Sequence, residues 1–280
     1  MCIECSVGRG GKNNRDDVRT VQLLLNLNHP QVAGPIVADG VCGGATAALI
    51  EAFQHGVIGD ADPQGLIPPD GSTIEALRSG MPPGLLEEKL ESIYIHAASA
   101  RVSQFFTAML ASMAAAAINT PLRQSHFLAQ VGHESGELRY TEELASGTAY
   151  EGRKDLGNTQ PGDGARFKGR GLIQLTGRTN YAAFGKAVGL NLIANPKQVA
   201  TESRLSVDAA TWFWTTHHLN ALADKDDTLA LTKRINGGTN GLADREAKLK
   251  RAKWFLLPAH PDPAENGLVR AMQAVSGTDG

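Results

Sequence analysis

The chain has 280 residues, of which 42% are hydrophobic and 20% charged, with a net charge of −2. That composition excludes a disordered chain, and the charge balance gives no reason to expect nucleic acid as a partner. Residues 1–80 carry a net charge of −4 and residues 81–280 a net charge of +2, a change of sign that fits two modules.

The three cysteines, Cys2, Cys5 and Cys42, are too few and odd in number for a disulfide framework. Cys2 and Cys5 form a CxxC with no second pair to complete a zinc site, so thiols and no metal are expected. The first 30 residues carry charges throughout and lack the apolar core of a signal peptide. The longest apolar-rich stretch, residues 105–118, is too short to span a bilayer and reads as a buried helix, so no stable membrane insertion is expected.

In chain order, DDVRTVQLLLNLN (16–28) sets Val18, Val21, Leu24 and Leu25 at helical spacing behind Asp16 and Asp17. GGATAALIEAFQHGV (43–57) predicts a second helix with Leu49, Ile50 and Phe53 inward, and DGSTIEALRSG (70–80) a third. Three short helices make a first module over residues 1–80, closed by a Pro/Gly linker at 81–84. Beyond it, helical patterns run over 85–97, 101–118, 121–135, 179–188, 206–220, 227–234 and 243–257. Only 166–176, RFKGRGLIQLT, suits an extended stretch. The fold class is mainly α, with a second, larger helical domain over 85–258 and a tail over 259–280 expected to be poorly ordered.

The stretch DGVCGGATAALIEAFQ (39–54) resembles the D-G-x-x-G-x-x-T-x-x-A-x-x-x-F-Q signature of the small three-helix peptidoglycan-binding domain, and VGRGGKNNRDDVRTVQLLLN (7–26) resembles its first helix and lead-in. The resemblance implies a wall-binding module with Asp39 and Gly40 in a turn and Thr46 in the next helix's first turn. Gly40, Leu49 and Phe53 read rather as residues that only determine the fold, and no aromatic sugar platform is evident.

Residues 132–144, GHESGELRYTEEL, place Glu134 and Glu143 nine positions apart. Pro121 starts a helix with Leu122, Phe127, Leu128 and Val131 on a buried side, so Glu134 falls near its C-terminus. There the negative end of the helix dipole favours the protonated form that a general acid needs. On one continuous helix two residues nine apart face opposite sides. A break at Gly136 lets the chain fold back so that both carboxyls can flank a glycosidic bond. Glu137 and Glu142 are rivals on these grounds.

The longer pattern, HFLAQVGHESG, then YEGRKDLGNTQPGDGARFKGRGLIQLTGRTNY, then INGG and ADR, resembles glycoside hydrolase family 19, the chitinases and the related phage endolysins, over residues 120–255. The resemblance implies Glu134 as general acid and Glu143 as general base, with Glu142 the alternative. It also implies that Gln174 and Thr176 contact sugar and hold the attacking water, with Asn180 and Tyr181 following, and that Asn236 and Arg245 bind substrate or hold the acid's charge. A hydroxyl that both accepts and donates suits the water, and a guanidinium nearby would stabilise an ionised base. Thr176 could instead cap a helix, Tyr181 could be core and Arg245 a surface charge. His133 reads as orienting its neighbours, and the glycines of KGRGLIQLTG as permitting close packing. The family inverts, so the carboxyls should stand roughly 6.5–9.5 Å apart, with no metal or cofactor. His217 and His218 are adjacent on a helix and so point to different faces. REAKLKRAKW (245–254) reads as a solvated basic face, or as an attractor of anionic wall polymer.

Together these readings predict a monomeric endolysin whose partner is bacterial peptidoglycan, cleaving the β-1,4 bond between N-acetylmuramic acid and N-acetylglucosamine. It would be made in a host cytoplasm and reach the periplasm by holin-type release or by secretion as an antibacterial effector. The rivals are a chitinase, a non-catalytic wall-binding protein and a lytic transglycosylase. The short gap between the two glutamates argues against the first, and the presence of Glu134, Gln174, Thr176 and Asn236 against the second.

Overall fold

The computed structural model describes residues 2–28 and 35–259 of the chain. It divides into two compact units, one within Met1–Pro83 and one over Gly84–Leu256. Of the tail expected over 259–280, only Ala259 lies among the described residues.

Among its described residues the first unit has a two-residue strand β1 (Val7–Gly8) paired antiparallel with β2 (Leu66–Ile67), and the helices α1 (Arg15–Leu27), α2 (Gly44–Phe53), which runs on into a π-helical turn at Gln54–Ile58, and α3 (Ser72–Ser79). Val18, Val21, Leu24, Ile50, Phe53 and Leu77 fill its core. Two glutamines organise its turns in the same way. Gln22 Oε1 accepts the Gly40 N–H (2.8 Å), while its Nε2 donates to Val41 O and Thr46 Oγ1 (both 3.2 Å). Gln54 Oε1 accepts the Gly65 N–H (2.9 Å), and its Nε2 donates to Leu66 O (2.9 Å) and Thr73 Oγ1 (3.2 Å). Both glycines are left-handed, at φ 76° and 63°. A Cβ on Gly40 would also stand 2.7 Å from Arg15 O, so glycine is required there on two counts. Gly40 is buried in the turn and Thr46 is buried in the first turn of α2, where both serve the fold. Asp39 alone of the three is exposed. Its carboxylate accepts from Val41 N (2.8 Å) and Gln22 Nε2 (3.0 Å), bonds that hold it below the usual carboxylate range.

The second unit runs α4 (Glu87–Ile93), α5 (Ser99–Ala115), α6 (Pro121–Glu134), α7 (Asp163–Arg166), α8 (Arg178–Val188), α9 (Gln198–Thr201), α10 (Ser203–Thr216), α11 (Asn220–Ala223), α12 (Thr228–Asn236) and α13 (Leu242–Leu256). It is mainly α; residues 142, 170 and 175 meet only in isolated bridges. The helix α6 is central. Thr120 caps it by accepting from Arg123 N (3.2 Å), Pro121 occupies its first turn, and Ser125–Gly132 are buried all round. It packs on α13, while α5 packs on α10. Phe127 meets Trp214 edge-on at 5.4 Å. A Cβ on Gly132 would come within 2.6 Å of the Tyr94 ring, so the helix lies against Tyr94 with no room to spare. A second cluster, including Phe167, Leu175, Tyr181, Phe184, Val199 and Leu205, supports the 166–181 segment.

Among the described residues no helix is long and apolar enough to cross a membrane, and no group of three or more His, Cys, Asp or Glu side chains could hold a metal ion. None of the three cysteines forms a disulfide.

His126 lies fully buried in α6, its Nε2 2.7 Å from Asp226 Oδ1. Burial pulls its pKa below 6.5, and the Asp226 carboxylate opposes this only in part. The folded state thus takes up the proton less readily than the unfolded chain. The stability this gives is present above pH 6.5 and is lost as pH falls below it toward the folded value, by at most about 1.4 kcal/mol per pH unit. Urea titrations at pH 7.5 and pH 5.5 should show a smaller acid loss for His126→Phe than for wild type. Equal losses would mean that His126 is charged in the folded protein.

Candidate active site

The C-terminal turn of α6 is held from outside by the first half of α13. His133 Nδ1 lies 2.7 Å from Asp244 Oδ2. The ring sits over Gly241, where any Cβ would collide with it. Arg245 extends one nitrogen to Glu134 Oε1 and another to Gln130 Oε1. Lys248 Nζ pairs with Glu137 Oε1 at 2.5 Å. Arg245 is 1% exposed and the Glu134 side chain 19%, so one edge of the acid remains open to solvent. Gln130 and Glu134 are four residues apart on one face of α6, which is why a single guanidinium spans both. Glu137, a rival for the acid, is buried, accepts from His96 N (2.9 Å) and is tied to Lys248; it belongs to the scaffold.

The chain leaves α6 through three consecutive left-handed residues, Gly136, Glu137 and Leu138 (φ 58°, 57° and 67°), and Tyr140 N donates back to Ser135 O at 2.8 Å. Residues 141–143 then pair with 169–171: Glu143 N donates to Gly169 O (2.9 Å) and Gly171 N to Thr141 O (2.8 Å). In such a segment successive side chains take opposite faces. Glu142 turns to the buried guanidinium of Arg170 (3.0 Å) and to Lys168 (3.5 Å). Glu143 turns the other way. Its Oε1 accepts from Tyr150 OH (3.0 Å) and its Oε2 from Gly169 N (3.1 Å). Burial and this carboxylate raise the Tyr150 phenol above its ordinary pKa, so it remains a donor at neutral pH.

Beside Glu143 lies Gln174, itself left-handed (φ 57°) and donating from Nε2 to Gly171 O (3.0 Å). A Cβ on Gly169 would stand 2.8 Å from Gln174 Oε1 and 3.4 Å from Glu143 Oε2, so the bare glycine lets the two side chains close over the backbone. Thr176 Oγ1 donates to Gln174 O (2.8 Å), which leaves its lone pairs to accept from a ligand. Asn180 Nδ2 holds the Thr176 carbonyl (2.8 Å).

Comparison with known proteins places this arrangement. The family model described as Chitinase class I matches residues 96–228. A glycosyl hydrolase family 19 domain-containing protein of Haemophilus influenzae is 34% identical, over 59% of this chain and 94% of that protein. The chain belongs to glycoside hydrolase family 19. An endochitinase of Arabidopsis thaliana is 40% identical, but over only 40% of this chain and 38% of its own length, so the chain spans well under half of that relative. Among solved structures, chitinase C from Streptomyces griseus HUT6037 (24% identity, TM-score 0.52, 63% of this chain and 78% of that one) shares the fold. So does a class IV family 19 chitinase from Zea mays (24% identity, TM-score 0.51, 64% and 94%). A family 19 chain of this kind is a glycosidase.

Several residues singled out in the sequence stand differently in the family 19 unit. Tyr181 is fully buried rather than sugar-facing. Its OH donates to Lys168 O (2.9 Å) and accepts from Arg170 Nη1 (3.1 Å), and burial pushes its pKa up to about 12. Arg245 is likewise too buried to meet substrate, and of its two implied roles it takes the one beside the acid. Thr176 caps no helix: α8 begins after Gly177 without a side-chain cap. Asn236 is exposed, but its amide is engaged within its own loop, to Asn240 O (2.7 Å) and Gly238 N (2.8 Å). The segment 245–254 has most of its basic side chains engaged, while Lys250 is exposed. Arg245, Lys248 and Lys253 pair with Glu134, Glu137 and Asp226, and Arg251 donates to Ser92 O. Sequence reading missed Gln130, Tyr150 and the N–H that Gly169 donates to Glu143. Gln130, four residues before Glu134 on a buried helix, was the one with a legible signal.

Proposed function

We propose that this family 19 glycosidase is a modular peptidoglycan hydrolase that cleaves the β-1,4 bond between N-acetylmuramic acid and N-acetylglucosamine with inversion. The observation that carries the mechanism is that the fold gives the two carboxyls of the family 19 motif separate and defined partners, Arg245 for Glu134 and the Tyr150 hydroxyl with the Gly169 N–H for Glu143; the roles of acid and base are those the family 19 resemblance implies. Glu134 gives its proton to the leaving glycosidic oxygen. A water on the opposite face of the sugar attacks the anomeric carbon and loses its proton to Glu143. The Tyr150 hydroxyl and the Gly169 N–H aim the Glu143 carboxylate, and Arg245 stabilises the anion left on Glu134. Thr176 and Gln174 hold the water. Glu142, already committed to Arg170 and Lys168, is the poorer base.

Two observations support a wall substrate. One is the peptidoglycan-binding signature at 39–54, which makes the first unit a wall-binding module that keeps the catalyst on an insoluble polymer. The other is the short gap between the glutamates. A second reading, chitinase, is favoured by the Chitinase class I match and the endochitinase relatives. The same chemistry would serve a phage endolysin or a secreted antibacterial effector.

Digestion of purified peptidoglycan and of chitin oligomers, with mass spectrometry of the products, separates these readings. New reducing muramic acid ends are expected. Reducing glucosamine ends would move the cleaved bond, and anhydro ends would replace hydrolysis by transglycosylation. Cleavage of chitin oligomers alone would make the protein a chitinase.

A further inference from the structure

A groove of about 540 Å³ lies between residues 165–170 and 194–201, lined among others by Arg166, Arg170, Asn195, Lys197, Gln198 and Thr201. No acidic side chain lines it. Arg166 is pinned by donating from Nε and Nη2 to the Ile193 carbonyl (3.2 and 2.8 Å) and from Nη2 to that of Ala194 (3.3 Å), which leaves Nη1 for a ligand. No carboxylate among the described residues pairs with Arg166 or with the exposed Lys197. Arg170 forms the floor, its charge matched by Glu142 at 3.0 Å. A pinned guanidinium, an unpaired ammonium and the side-chain amides of Asn195 and Gln198 converge on one hollow. This is a donor set for a carboxylate flanked by amides.

We propose that this groove is a second binding site, taking the carboxylate-bearing peptide stems of the wall polymer. The inference rests on the peptidoglycan reading above, since chitin carries no anionic group for these cations to meet. Arg170 and Glu142 face away from Glu143, because neighbouring side chains of a paired segment alternate. A stem in the groove therefore leaves the sugar position at Glu143 open, and the site adds hold on the polymer without competing with cleavage.

Lys197 is exposed and outside the catalytic machinery, so Lys197→Glu is the direct test, made in the full chain. Binding is measured by calorimetry in the inactive Glu134→Gln background. The probes are a disaccharide carrying a stem peptide with free carboxylates and the same compound with those carboxylates amidated. Lys197→Glu should weaken binding of the acidic probe about tenfold, leave the amidated probe unaffected, and leave the melting temperature unchanged. Equal affinities of the parent and the Lys197→Glu protein for the acidic probe would overturn the site. If the acidic probe responds to Lys197→Glu while wild type fails to cut peptidoglycan, the groove stands and the hydrolase reading falls. If wild type cuts peptidoglycan but the probe ignores the substitution, the groove alone falls.

Discussion

Glu134→Gln should lower kcat by about 100- to 10,000-fold, the range that general acid–base groups contribute, while the protein stays folded. Glutamine keeps the shape of the side chain and can still accept from Arg245, but it has no proton to give to the leaving oxygen. Glu143→Gln should lose activity on a similar scale, because the water would have no base. Glu142→Gln separates the neighbours: it frees Arg170 and Lys168 from their shared partner and should act mainly on stability. Initial rates on peptidoglycan, with a melting curve for each variant, check the set. A Glu142→Gln protein that melts normally yet is as inactive as Glu134→Gln would transfer the role of base to Glu142.

Arg245→Met should be the most destabilising of the substitutions considered, by about 3–5 kcal/mol, the cost of breaking a buried ion pair from one side. The guanidinium is 1% exposed and serves both Glu134 and Gln130, so its removal strands a carboxylate and an amide together. For a unit of this size the midpoint of unfolding should fall by roughly 6–20 °C. The double variant Arg245→Met with Glu134→Gln should recover part of that loss, because no charge is then left unpaired. Calorimetry of wild type, both single variants and the double variant gives the coupling directly. Additive losses would show that Arg245 stabilises through packing alone.

The start of α6 at Pro121 was legible in the chain, and so was the place of Glu134 near its C-terminus. The basic run 245–254 was not. A stretch of lysines and arginines looks solvated unless the acids it will meet are known, and Glu134 and Glu137 lie more than a hundred residues away. The choice of Glu143 over Glu142 rested on the family resemblance alone for the same reason. Two adjacent carboxylates are equivalent in the chain until pairing with 169–171 sends one to Arg170 and the other to Tyr150 and Gly169. Tyr181 belongs here as well: the chain left sugar contact and core both open, and α8 (Arg178–Val188) settles it with the ring inward.

The longer helices, the linker at 81–84, the candidate acid of the family 19 motif and the glycines at which backbone must come close could all be read from the chain. Those are local properties, set by apolar period, caps and the absence of a Cβ. Which charges are paired, which of two neighbouring glutamates is aimed by neutral donors, and which polar groups of the motifs are spent inside the fold emerged only from the folded chain. Those outcomes depend on residues far apart in the chain reaching hydrogen-bond distance, where a buried charge must find its partner or cost the protein its stability.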